Sequence, residues 1–105
     1  MKAANTSERQ KDSRNKTICF PMGQIVATPG ALEVLDRGGV NAAQLLVRHQ
    51  SGDWGNVPSE DAQENDHSVV NGNRILSSYQ VGEDRIWMIT EADRSCTTLL
   101  LPDEY

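Results

Sequence analysis

The segment Arg48-His49-Gln50-Ser51-Gly52-Asp53-Trp54-Gly55 gathers a guanidinium, an imidazole, a carboxylate and an indole in one short stretch. An imidazole can move a proton near neutral pH, and a guanidinium can grip a phosphate or carboxylate with two parallel hydrogen bonds. The cluster falls where a helix should end. There the macrodipole is expected to favour the charged form of His49. Asp53 is expected to pair with Arg48 or His49, or to accept backbone N–H groups in an Asx turn. Trp54 reads as a plug for the core more readily than as a stacking surface for a ligand. A second polar cluster, Thr90-Glu91-Ala92-Asp93-Arg94-Ser95, sits between two apolar runs. Two acids and an arginine at such a tip are expected to form local ion pairs. With Arg74 and Arg85, the candidate binding residues are Arg48, His49, Asp53, Trp54, Arg74, Arg85, Glu91, Asp93 and Arg94.

The same groups allow a second reading, a metal-independent ribonuclease. Such chemistry needs a base for the 2′-hydroxyl, an acid for the leaving oxygen and cations on the phosphate. His49, Arg74, Arg85, Thr97 and Tyr105 are the residues able to supply these roles. The acid excess and the absence of lysine after Lys16 weigh against it. No catalytic residue is assigned, and a non-catalytic protein is the favoured reading.

Other chemistries lack their residues. Cys19 and Cys96 are far apart and neither belongs to a CxxC pair, while HxxxH and HExxH patterns are absent. Neither a metal site nor a cofactor is therefore expected, and the thiols read as buried and reduced. There is no GxGxxG, GxxxxGK[ST] or GxSxG, so nucleotide binding and serine-hydrolase chemistry find no support. His67, in a polar stretch, is expected to face solvent.

The elements that would position these groups follow from capping and period. Gln24 to Ala27 is a short β-like run. Thr28 and Pro29 open a helix that Gly38-Gly39 stops, and Asn41 caps a second helix ending before Gly52. Ser59 is the expected N-cap of a third, more polar helix reaching about Val70. The last third alternates with period two in three strands, Arg74–Val81, Arg85–Glu91 and Ser95–Leu101. Within them Ile75, Ser77, Tyr79 and Val81 share one face, and Ile86, Met88 and Thr90 share another. The fold class is α+β: an N-terminal extended segment and two to three helices packed on a C-terminal three-stranded antiparallel meander. The third strand, read as exposed, could pair with a second copy in a homodimer.

The chain has 105 residues, room for one domain. Charge divides it. Residues 1–16 carry five basic groups and two acids, net +3, and the remainder carries five arginines and thirteen acids, net −8. Residues 1–17 read as a flexible basic arm and residues 18–105 as a single α+β domain. No stretch has the apolar run of a secretory signal or membrane span, so a cytoplasmic protein away from membranes is expected. An acidic body is repelled by phosphate backbones, which disfavours direct nucleic-acid binding and favours a protein partner.

From Gln24 to Tyr105 the chain resembles a group of small proteins encoded on bacterial plasmids and integrative elements. The residues that carry the resemblance are ATPGALEVL (27–35), RHQSGDWG (48–55) and RIWMITEADRSCTTLLLPDEY (85–105). It implies a bacterial mobile-element origin and no settled activity. Accessory proteins of such elements include modulators of host defence, anti-restriction and CRISPR-inhibiting proteins among them. The expectation is an acidic interaction protein acting on a nucleic-acid-processing host complex. The order of helices then meander also resembles the layout of barnase-like and RelE-like toxins, which is the ribonuclease alternative.

Overall fold

A computed structural model describes residues 18–105, so the expected arm at residues 1–17 lies outside the described residues. Strand β1 (Gln24–Ala27) leads through Thr28 into α1 (Pro29–Gly38). The Thr28 hydroxyl accepts the Ala31 N–H at 3.0 Å, and Pro29 fills a helix position whose N–H would have no partner. Gly39 closes α1 in the left-handed conformation. Asn41 opens α2 (Ala42–Gln50) by accepting the Ala43 N–H at 2.9 Å. Helix α3 (Ser59–Asn71) departs from expectation. Ser59 is its first helical residue, the cap is Pro58, and no side chain caps the end. Glu60 and Asp61 lie in the first turn, where the exposed N–H dipoles favour negative charge.

Three strands follow: β2 (Ile75–Val81), β3 (Asp84–Thr90) and β4 (Cys96–Leu100), before a 3₁₀ turn at Pro102–Glu104. β2–β3 and β3–β4 pair antiparallel as the alternation predicts. The sheet is nevertheless four-stranded and mixed, in the order β1-β4-β3-β2, with β1 parallel to β4. This corrects the three-stranded meander. It also corrects the exposed third strand, because β4 lies inside the sheet and β1 takes the edge. Among the described residues no helix is long and apolar enough to cross a membrane.

One face of the sheet carries the core. Ala31, Val34 and Leu35 of α1 and Leu45 of α2 pack on Tyr79, Val81, Ile86, Met88 and Leu99. A second cluster joins Phe20, Trp54 and Ile75 to Ala62 and Val69 of α3. The outer edge of β2 is closed by its own chain. The Asn65 carboxamide donates to the Leu76 carbonyl at 2.8 Å and accepts the Leu76 N–H at 3.2 Å. Ser78 donates to the Trp54 carbonyl and accepts the Asn56 N–H, while the Asn56 side chain accepts the Gln80 N–H. Gly55 permits this approach. Its φ is +74°, and a Cβ there would stand 2.1 Å from the Ser78 carbonyl oxygen.

The cysteines are not buried as expected: Cys19 is exposed and Cys96 half-buried. Cys19 lies on the segment preceding β1, which hydrogen-bonds to the end of α2 through the Gln50 carbonyl and leaves its thiol outside the core.

Candidate functional site

His49 lies on the inward side of α2 and is fully buried. Two hydroxyls from two strands meet it on the otherwise apolar sheet face, and a third on the next strand continues the chain. Its Nδ1 is 2.6 Å from the Ser77 hydroxyl, and its Nε2 is 2.8 Å from that of Thr90. Thr90 is 2.7 Å from Thr97, and Thr97 donates to the Met22 carbonyl at 2.7 Å. A carbonyl can only accept, so the directions of the Thr97, Thr90 and Nε2 bonds follow. The Thr97 proton goes to Met22, the Thr90 proton to Thr97, and the Thr90 oxygen accepts from Nε2–H of the imidazole. In a neutral ring Nδ1 is the acceptor for the Ser77 hydroxyl, which gives the Nε2–H tautomer with both nitrogens satisfied.

The environment reinforces neutrality. Phe20 and Trp54 present their rings edgewise to the imidazole, with centroids 5.2 and 5.9 Å away. Burial, and secondarily the Arg94 cation, lower the His49 pKa from 6.5 to about 4. This corrects the expectation of a charged His49. The dipole of a helix end acts within its last turn, whereas removing the imidazolium from water costs more than that dipole returns.

Arg48 points away from this relay. Its Nε donates to Asp53 at 2.7 Å and its Nη2 to the other carboxylate oxygen at 3.3 Å, while the guanidinium covers the Tyr79 ring at 4.7 Å. Hydrogen bonding to Asp53 raises the Arg48 pKa. Asp53 also accepts the Gly55 N–H, forming the Asx turn. Both partners are substantially exposed, so the pair contributes at most ~1 kcal/mol. Tyr79 donates to the Asp53 carbonyl at 2.6 Å, and burial pushes its phenol up to about 12. Trp54 is buried, stacks on Phe20 and donates its indole N–H to Asp66 at 3.0 Å.

The 90–95 cluster is wired differently from expectation. Arg94 makes no ion pair with Glu91 or Asp93 among the described residues. Its guanidinium donates to the carbonyls of Ser68, Asn73 and Glu91 at 2.7, 2.7 and 3.1 Å and lies over the Phe20 ring. It thereby ties the Ser68 carbonyl in the last turn of α3 to the Asn73 carbonyl beyond the helix and the Glu91 carbonyl at the β3–β4 turn, which a nearby acid could not do. The three carbonyls take the donors that local ion pairs would use, and the turn holds Arg94 in the left-handed region, φ +61°. Asp93 instead accepts the Ser95 N–H, and hydrogen bonding to Ser95 lowers its pKa. Glu91 is half-buried, its backbone paired with Cys96 and Arg94.

Arg74 and Arg85 lie on the opposite face of the sheet from His49. Arg74 reaches the Tyr105 hydroxyl and covers its ring, whose other neighbour is Trp87 with centroids 5.7 Å apart. Arg85 donates to the Asn56 carbonyl and the Ser78 hydroxyl. The ribonuclease set is thus divided by the sheet: His49 and Thr97 are sealed within the core, and Arg74, Arg85 and Tyr105 lie outside. His67 is exposed as expected. A shallow groove of about 580 Å³, lined by Val40, Gln44, Leu45, Val47, Arg48 and Gln80, contains no charged side chain but Arg48. Among the described residues no group of three or more His, Cys, Asp or Glu could hold a metal ion.

Ser77 and Thr90 are relay members that the sequence reading left out of the candidate binding residues, although Thr90 opens the second polar cluster. Their signal was present: each is a hydroxyl on a strand face otherwise built of Ile, Tyr, Val and Met. A buried hydroxyl needs a partner, and three on facing strands need one that can bridge them. No protein-family model, curated protein or solved structure matches this chain.

Proposed function

We propose that the protein is a non-catalytic interaction protein whose acidic body docks on a basic surface of a protein partner. Unequal commitment of charge is the observation that carries this reading. All five arginines after residue 17 are engaged within the fold: Arg37 with Asp84, Arg48 with Asp53, Arg74 with Tyr105, Arg85 with Asn56 and Ser78, and Arg94 with three carbonyls. Glu60, Asp61 and Glu64 on α3, with Glu83 and Asp103, are exposed, and no hydrogen bond or ion pair among the described residues engages their carboxylates. With thirteen acids against five arginines after residue 16, two of the arginines already paired with carboxylates, the field this part of the chain presents to a partner is acidic. The resemblance to mobile-element proteins extends the proposal to a host defence complex that handles nucleic acid through a basic channel.

The test introduces the protein into bacteria carrying a restriction or CRISPR system and challenges them with a targeted plasmid. Raised plasmid survival, lost in a Glu60→Gln/Asp61→Asn/Glu64→Gln variant that retains its fold, supports the reading. Unchanged survival against every system tried, or RNA cleavage by the purified protein, overturns it.

A further inference from the structure

The two edges of the sheet are finished in opposite ways. Along β2 the outward backbone groups of Leu76 and Ser78 and the Gln80 N–H are satisfied by Asn65, Trp54 and Asn56. Along β1 they are not. The N–H groups of Gln24 and Thr28 reach inward to Ser95 and Leu99, so alternation turns the N–H and C=O groups of Ile25 and Ala27 outward. Those groups have no partner among the described residues. The flanking side chains Ile25 and Val26 are apolar and each 43% exposed. Natural edges discourage pairing by brevity, charges, bulges or an interior proline; Gln24–Ala27 is short, but contains no charge and no proline.

We infer that β1 pairs with β1 of a second copy, antiparallel about a two-fold axis through Val26, to form a homodimer with one continuous eight-stranded sheet. The register follows from which groups face outward. Ile25 and Ala27 of the partner copy form a hydrogen-bonded pair, as do Ala27 and Ile25 of the partner copy, giving four backbone hydrogen bonds. Val26 meets itself in the intervening non-hydrogen-bonded pair, where side chains come closest. Flanking Pro29 has no N–H and limits the ladder to this length.

Charge selects the occupant. A second copy brings its own excess of carboxylates, so two copies can approach only where acids are absent. Residues Thr17 to Leu32 carry no charged side chain, and neither do Ser95 to Pro102, which contain the neighbouring strand; the Glu104 carboxylate lies just past the end of β1, where the Thr28 hydroxyl and the Leu101 N–H hold it. A basic peptide would find no carboxylate in β1 to select it.

The experiment is sedimentation velocity over a concentration series, with each variant checked for its urea midpoint. The full chain should be dimeric, and Val26→Lys and Val26→Asp should each weaken the dimer by at least roughly a hundredfold, because like charges then face each other across the axis. Mixing the two variants should restore a heterodimer. In a Cys19→Ser/Cys96→Ser background, Val26→Cys should oxidise to a covalent dimer, since the axis places each thiol beside its mate. A monomer throughout the series, or dimers untouched by both charged variants, overturns the inference.

Discussion

Lowering the pH should destabilise the protein through one buried ring. His49 is neutral in the fold, its pKa reduced to about 4 chiefly by burial, while in the unfolded chain it titrates at 6.5. Between those values the unfolded state binds a proton that the folded state does not, so stability falls as pH falls through the window. The contribution is fully present above the unfolded pKa and lost by about pH 4. A shift of that size corresponds to about 3 kcal/mol, on the order of 15 °C in Tm for a domain of this length. Urea unfolding of the wild type and of His49→Gln at closely spaced pH values isolates the effect, because carboxylates that titrate nearby cancel in the difference. The difference should slope by about 1.4 kcal/mol per pH unit inside the window and be flat above it. Nitrogen NMR of the native ring should show Nε2 protonated and Nδ1 bare at neutral pH. A flat difference curve, an imidazole titrating at its ordinary value, or an Nδ1–H tautomer would refute the relay.

Two further outcomes follow from the wiring. Thr97→Val leaves the Met22 carbonyl without its donor and Thr90 without an acceptor, and should cost ~1–3 kcal/mol by chemical denaturation. Adding Thr90→Val should cost less than the sum of the single changes by ~1 kcal/mol, since the second removal deletes a hydroxyl already orphaned; strict additivity would show the hydroxyls are not coupled. Arg94→Lys should lose ~1–3 kcal/mol and speed amide exchange at the end of α3, because one ammonium cannot reproduce a fork spanning three carbonyls. Full stability in the lysine variant would show that charge alone suffices.

The legible parts of the fold were those written locally. Thr28-Pro29, Asn41 and Gly38-Gly39 fix helix ends by capping chemistry within a few residues, and the short connection after Val81, expected to run to Asp84 and found as Gly82-Glu83, joins adjacent antiparallel strands. The pairing of Gln24–Ala27 with Cys96–Leu100 was not legible. A parallel pair has no turn of its own, and four residues are too few to announce a partner so distant in the chain. The candidate site divides in the same way. The Arg48–Asp53 contact spans five positions and was among the alternatives legible for Asp53, as was the Asx turn that accompanies it. The fates of His49 and Arg94 depended on what folded over them: hydroxyls from two strands in one case, carbonyls from a helix end and a strand turn in the other.

The Met22 carbonyl has an influence out of proportion to its place at the margin of the core. As the sole pure acceptor in the series, it acts like the fixed end of a row of compass needles and orients every proton back to Ser77. Should the stretch from Phe20 to Met22 peel away, that anchor is lost and the row can run in either direction. The imidazole would then exchange between its two tautomers, making the ring a reporter at the centre of the molecule for detachment at its rim.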